Sequence, residues 1–304
     1  MLAWDHRQST VSLLGALLVA IILSIVLHNL RFPPAGIIVA LPVPFLFYYA
    51  NMRTYLRRKK WMKQPFPTPW QDLLKGEVNY YRRLPPSEKK RFEQNVIFFL
   101  KENRITGIDT EIDDRIRLIV ASSAVILIFG RPGWEYRKVP EILIYPRSFD
   151  EEYSVTSHPR KRTLSGIVVP QNAMVLSKPE LLQAFRDPAE PHHVGLHEFA
   201  HVLDLADGYA EGIPGDLDPK MVEEWNRLMQ QELRLVRQHH SILNPYAGKN
   251  LGELFAVAVE YFFQRPVELR QQHNQLYQAL ATFFNQDPAM LLSQMETDVS
   301  EPYQ

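Results

Sequence analysis

Two uncharged stretches occupy the first fifty residues, and nothing comparable follows. Gln8 to Leu30 contains no Asp, Glu, Lys or Arg, and Val11–Leu27 is almost wholly apolar. About 20 such residues are enough to cross a bilayer as a helix. A second uncharged stretch runs from Phe32 to Met52 and carries Pro33, Pro34, Pro42 and Pro44. The Arg31-Phe-Pro-Pro break reads as the turn of a transmembrane helical hairpin with spans at about 9–30 and 33–52. Pro42 and Pro44 would kink the second span and free backbone groups inside lipid, so a re-entrant segment competes with a full crossing. The first run is longer than a usual signal h-region, and no small-x-small site stands out ahead of Arg31, which favours an anchor over a cleaved peptide. Arg53, Arg57, Arg58, Lys59, Lys60 and Lys63 follow directly. The positive-inside rule then expects residues 65–304 on the cytoplasmic face of an inner or plasma membrane, and the basic run against anionic headgroups makes the lipid bilayer an expected partner.

After residues 1–64 the pattern is that of a globular domain. Pro65-Phe-Pro67-Thr-Pro69 reads as a stiff linker. Ser87, after Pro85-Pro86, predicts an N-cap for a helix through Phe92, Val96, Phe99 and Leu100. Asp113-Asp114 opens a segment whose uncharged part, Leu118–Gly130, is too short to span a membrane and reads as buried core. Glu141–Pro146, Ser165–Pro170 and Ala173–Ser177 are short, turn-bounded and rich in β-branched residues, and predict strands. Asp218-Pro219 caps a helix with Met221, Trp225, Leu228, Met229 and Leu233 at helical spacing. Helices and short strands together predict an α+β domain.

Within that domain His197-Glu198-Phe199-Ala200-His201 is an HExxH motif. At 3.6 residues per turn the two histidines share one helix face and can reach one metal, while Glu198 sits beside them, placed to take a proton from a water that the metal activates. The ordinary alternative is a solvated helix face. Val194, Leu196, Phe199, Ala200, Val202 and Leu203 argue for a buried helix instead, where histidines need partners. The helix is expected to stop near Gly208.

A catalytic zinc usually takes a third protein ligand. Glu253, in a mostly apolar helical segment, is the best candidate; Asn250 three residues earlier offers the competing reading, a capping box that would occupy the carboxylate locally. Glu260, two turns further on the same face, reads as a carboxylate behind the ligands rather than a ligand. Asp204 either accepts the second ring proton of His201 or caps the helix end. Tyr246, after Asn244-Pro245, could donate to the oxyanion formed when a carbonyl is attacked; read alone it is a loop tyrosine. His192-His193 and His239-His240 receive no role.

The chain has 304 residues, with 34 basic and 34 acidic side chains and a formal net charge of +0, which gives no sign of a nucleic-acid partner. It has no cysteine, so thiolate ligands and disulfides are excluded and a His/Glu set is the credible one for zinc.

Taken together, His197-Glu-Phe-Ala-His201-Val-Leu-Asp204, Tyr246-Ala247 and Glu253-Leu-Phe-Ala-Val-Ala-Val-Glu260-Tyr-Phe-Phe resemble the Mlc titration factor A family of zinc-dependent peptidases. The resemblance runs from about Pro69 to about Pro288 and takes in Ile142–Pro146 and Gly166-Ile-Val-Val. It implies a gluzincin-like, zincin-type catalytic domain similar to that of the anthrax lethal factor protease, with Zn²⁺ on His197, His201 and Glu253, Glu198 as general base and Tyr246 as hydrogen-bond donor to the transition state. It also implies aminopeptidase-like activity on a peptide or protein substrate, and a transcriptional regulator as a possible partner. By fold analogy, Ala173–Ser177 is the expected edge strand for an extended peptide. The N-terminal stretch has no equivalent in the soluble members of that family.

Overall fold

Helices account for most of this chain, and the computed structural model describes residues 4–29, 42–136, 138–147, 166–169, 173–186 and 190–292. Two units separate, Met1–Pro65 and Phe66–Gln304.

In the first unit α1 (Trp4–Asn29) and α2 (Pro42–Trp61) pack on each other. A side chain at Gly15 would come within 2.9 Å of the Phe47 ring, so the glycine permits the close approach. Among the described residues no helix is long and apolar enough to cross a membrane, and the expected transmembrane hairpin is corrected accordingly. The physical reason lies in helix length and placement. α1 spends its first turns on Trp-Asp-His-Arg-Gln, and its almost wholly apolar stretch, Val11–Leu27, covers about 26 Å at about 1.5 Å per residue, short of a hydrocarbon core of about 30 Å. α2 begins at Pro42, so Pro42 and Pro44 stand in its first turn, where a missing N–H costs nothing, and the helix continues through Arg53, Arg57, Arg58, Lys59 and Lys60. Arg58, Lys59 and Lys60 fill its last turn, where the helix dipole favours cations. The expected membrane-anchored location is corrected with the hairpin, and the cytoplasmic orientation and the bilayer as partner lose the feature on which they rested. The Arg31–Pro34 turn lies outside the described residues.

The second unit contains a four-stranded sheet in the order β1-β2-β4-β3, formed by β1 (Ile105–Gly107), β2 (Glu141–Tyr145), β3 (Gly166–Val169) and β4 (Ala173–Ser177). β1 and β2 are parallel, as are β2 and β4, with Leu143 opposite Val175; β3 runs antiparallel to β4. The α+β expectation is therefore corrected to a mainly helical domain with a small, mostly parallel sheet. Parallel neighbours require a crossover, and the β1–β2 connection carries α6 (Asp114–Ile128). Met174, Val175, Leu176 and Ser177 are all buried, as in a strand covered on both faces. Among the described residues β4 is paired on both sides, so the sheet ends on β1 and β3 and Ala173–Ser177 is not an edge strand.

Around the sheet lie α3 (Thr68–Glu77), α4 (Asn79–Arg83), α5 (Pro86–Glu102), α7 (Lys178–Arg186), α8 (Val194–Asp204), α9 (Val222–Arg237), α10 (Leu251–Gln264), α11 (Pro266–Gln272) and α12 (Asn274–Phe284). α5 starts one residue before Ser87: Pro85 is its cap and Pro86 its first residue, a position that proline's fixed φ suits. Asp113 caps α6 by accepting from the Ile116 N–H at 2.8 Å. α8 ends at Asp204, passes through a 3₁₀ turn and stops at Gly208, whose φ of 101° only glycine adopts without strain. α8 packs between α6 and α10. Phe199 points into the core edge-on to Phe99, with 5.6 Å between ring centroids. Nearly every residue of α10 is buried, so the element opposite the motif is held rigidly.

The contact between α6 and α8 depends on Gly195, where a Cβ would lie 2.2 Å from the Ser123 Oγ and 2.8 Å from its Cβ. Gly195→Ala should lower stability by about 1–3 kcal/mol through overpacking. At Gly76 a Cβ would meet nothing within 4 Å. Gly76→Ala should leave stability unchanged or raise it by up to about 0.5–1 kcal/mol. Urea unfolding midpoints of the two variants check the contrast; equal shifts would remove the close-packing account.

Candidate metal centre

α8 brings His197 and His201 to one face, and α10 presents Glu253 and Glu260 opposite them. His193 caps α8, its Nδ1 accepting from the Leu196 N–H at 3.1 Å. Asn250 caps α10, its Oδ1 accepting from the Glu253 N–H at 2.9 Å. Only that half of the capping box forms. The Glu253 side chain turns away from Asn250 and toward the histidines, with Oε2 3.2 Å from Nε2 of His197 and 3.4 Å from Nε2 of His201. The two Nε2 atoms are 3.2 Å apart. Ligand atoms of His197, His201 and Glu253 thus all lie within 4.8 Å of one another; His197 and Glu253 are buried and His201 is partly open.

This triangle fits a divalent metal. Glu260 Oε1 is 2.6 Å from Nδ1 of His197, so a neutral ring keeps its proton on Nδ1 and turns the Nε2 lone pair toward Glu253. That lone pair faces another, on Glu253 Oε2, and a cation is the group that reconciles them. Ligand atoms around a tetrahedral ion with bonds of about 2.0–2.1 Å stand about 3.3–3.4 Å apart, close to the three separations observed. Charge favours the same conclusion: Glu198, Glu253 and Glu260 bring three carboxylates to the site, against the ammonium of Lys249.

Glu198 is buried, and its Oε2 has no hydrogen-bond partner among the described residues. Burial pushes its carboxyl above the usual range, against the pull of His197 and His201. Burial would raise Glu260 as well, but the charge and hydrogen bonds of His197 and His192 hold it at about 2. For Glu253 burial is likewise overcome, because with no metal between them His197 and His201 can each carry a proton on Nε2 and donate it, and the carboxyl then lies well below the usual range.

Tyr246 enters from a 3₁₀ turn, Pro245–Gly248, and its hydroxyl donates to Glu253 Oε1 at 2.9 Å. Asp204 is fully buried, and its two oxygens accept from Gly212 N at 3.0 Å and Ile213 N at 2.9 Å, tying down the loop after α8. Three further residues meet the site, none of them marked out by the motif. The backbone N–H of His193 donates to Glu260 Oε2 at 2.6 Å, and the His192 ring lies 3.0 Å from the same oxygen. Lys249 donates to Glu253 Oε1 at 3.0 Å. Its position four residues before Glu253 is the signal the sequence holds for it, since that spacing puts opposite charges side by side as a helix begins. The two histidines carry no such signal, because their partner is 67 or 68 residues away.

Residues 52–285 match the family described as glucose-regulated metallo-peptidase M90. An uncharacterised protein of Synechocystis is 27% identical over 276 residues, covering 84% of this chain and 98% of that protein. Mlc titration factor A of Escherichia fergusonii is 29% identical over 266 residues, covering 80% and 96%, and that of Pectobacterium atrosepticum is 29% identical over 220 residues, covering 66% and 80%. The matched span contains both helices of the His-His-Glu triangle, and the chain is a member of the glucose-regulated metallo-peptidase M90 family.

Proposed function

We propose that the domain is a zinc metallopeptidase that hydrolyses peptide bonds, with His197, His201 and Glu253 holding the metal. The observation that carries this reading is the convergence of two imidazole nitrogens and one carboxylate oxygen beside a buried carboxylate oxygen that has no partner among the described residues. When bound there, zinc would act as a Lewis acid toward a carbonyl and lower the pKa of a water toward neutrality.

The chain's own groups do the rest. Glu198 takes the proton of the attacking water at Oε2 and hands it to the leaving amine; a carboxyl whose proton affinity is raised by burial is suited to both transfers. Tyr246, on releasing Glu253, donates its hydroxyl proton to the oxyanion. Glu260 fixes the tautomer and orientation of the His197 ring. Asp204 fixes the loop that follows α8. β3, a strand packed beside α8 and at an edge of the sheet among the described residues, offers backbone groups to an extended peptide. Aminopeptidase-like cleavage, which the family resemblance implies, is the activity to assay first.

A second reading comes from the name shared by several relatives, Mlc titration factor A, which speaks of a titrated protein. In that reading the domain binds a transcriptional regulator and the metal centre is structural. The buried Glu198 favours the first reading, because a structural centre has no use for a base.

Glu198→Gln should retain zinc in stoichiometric amount while turnover of chromogenic aminoacyl and peptide substrates falls about 10²–10⁴-fold. Turnover at the wild-type rate would rule out the mechanism. Chelation should abolish hydrolysis and lower the thermal midpoint, and added zinc should restore both, since a ligand that binds only the folded state stabilises it; a midpoint insensitive to chelator would count against a bound metal. Glu260→Gln can accept from His197 or from the His193 backbone but not from both, and should weaken zinc binding about 10–100-fold in a chelator competition.

A further inference from the structure

Glu253 directs its two oxygens to different tasks. Oε2 faces the two histidines, and Oε1 is turned away to accept from the Tyr246 hydroxyl at 2.9 Å and from Lys249 Nζ at 3.0 Å. Lys249 Nζ also lies 3.3 Å from the Tyr246 hydroxyl and 5.2 Å from the centre of its ring. Tyrosine, lysine and glutamate form a closed triangle beside the ligand triangle. The Lys249 side chain is about half exposed, at 49%, so it stands at the solvent side of the site while the Glu253 carboxylate stays within it.

A carboxylate with two equivalent oxygens can offer a metal either one or both. Two donors on Oε1 leave Oε2 alone for the cation. Tyr246 cannot supply its share throughout a turnover, because a hydroxyl has a single proton and cannot give it to Glu253 and to an oxyanion at once. An ammonium has three donors and can hold Oε1 by itself. Resting on the metallopeptidase reading above, we propose that Lys249 is a positioning residue, which keeps Glu253 presented through one oxygen while Tyr246 turns to the substrate. It touches none of the reacting atoms and acts only through Glu253 and Tyr246.

The sign of its effect on metal binding separates this role from a simple charge effect. An ammonium near a cation repels it, so if Lys249 contributed only charge, its removal would tighten zinc binding. If Lys249 positions the carboxylate, its removal loosens zinc binding.

The test uses the full-length wild-type chain, Lys249→Met, Lys249→Arg, Tyr246→Phe and the double variant Tyr246→Phe/Lys249→Met, with zinc affinity measured by competition against a chromophoric chelator in the absence of substrate. Lys249→Met should bind zinc about 10-fold more weakly, within the 10–100-fold range that supporting residues command. Lys249→Arg, which keeps charge and N–H donors, should stay within about threefold of wild type. The loss from Lys249→Met should be larger in the Tyr246→Phe background, where no other donor remains on Oε1. Zinc bound by Lys249→Met as tightly as by wild type, or more tightly, overturns the proposal, as does Lys249→Arg binding as weakly as Lys249→Met. A wild-type chain that takes up no zinc overturns this proposal together with the metallopeptidase reading, and that result is distinct from a failure at Lys249 alone.

Discussion

His197 is gripped from both ends of its ring by carboxylates of a single helix. Glu260 Oε1 holds Nδ1 at 2.6 Å and Glu253 Oε2 faces Nε2 at 3.2 Å. The two acids stand seven residues apart on α10, two turns on one face, so the spacing of the helix itself sets the span within which the imidazole must fit. Everything else at the site follows from this clamp. It fixes the tautomer, which fixes the direction of the lone pair, which fixes where a cation can sit. A buried carboxylate left without such partners would cost several kcal/mol, so the clamp also explains why Glu260 gathers three donors, from His192, His193 and His197.

For the clamp to close, α8 and α10 must approach at a set distance, and small or shaped residues secure it. Gly252 leaves room for Asp204, whose carboxylate oxygen would lie 3.2 Å from a Cβ at that position. Asp204 in turn binds the chain at Gly212 and Ile213, and the Trp225 indole donates to the Gly212 carbonyl at 2.8 Å, so the loop after the motif is pinned from both sides. Behind these polar ties, Phe255 packs against Trp225 and Phe199 against Phe99, which gives both helices a rigid apolar backing.

Much of the site is legible in the chain because helical geometry is local. HExxH puts two imidazoles and a carboxylate on one helix wherever that helix lies, and Glu253 stands out as an acid inside an otherwise apolar segment. The capping alternative at Asn250 is half right in physical terms: the cap forms through the Asn250 side chain, while the Glu253 carboxylate is drawn off by the histidines. The N-terminal reading fails for a different reason. A count of uncharged residues does not reveal where a helix starts, and once α2 starts at Pro42 its charged second half belongs to the same helix as its apolar first half. Likewise, short β-branched segments announce strands without announcing partners, so nothing in Ala173–Ser177 itself tells that β2 and β3 flank it.

The sequence by itself determined the candidate ligand types, their periodic spacing and the family to which the chain belongs, since each depends on residues a few positions apart or on overall similarity. Only the tertiary structure decided that Glu260 holds His197, that the His193 backbone completes the Glu260 shell of donors, and that Tyr246 and Lys249 share one oxygen of Glu253. Contacts between α8 and α10 join residues more than fifty positions apart, and their partners are chosen by how two buried helix faces pack, a property that no local pattern of residues encodes.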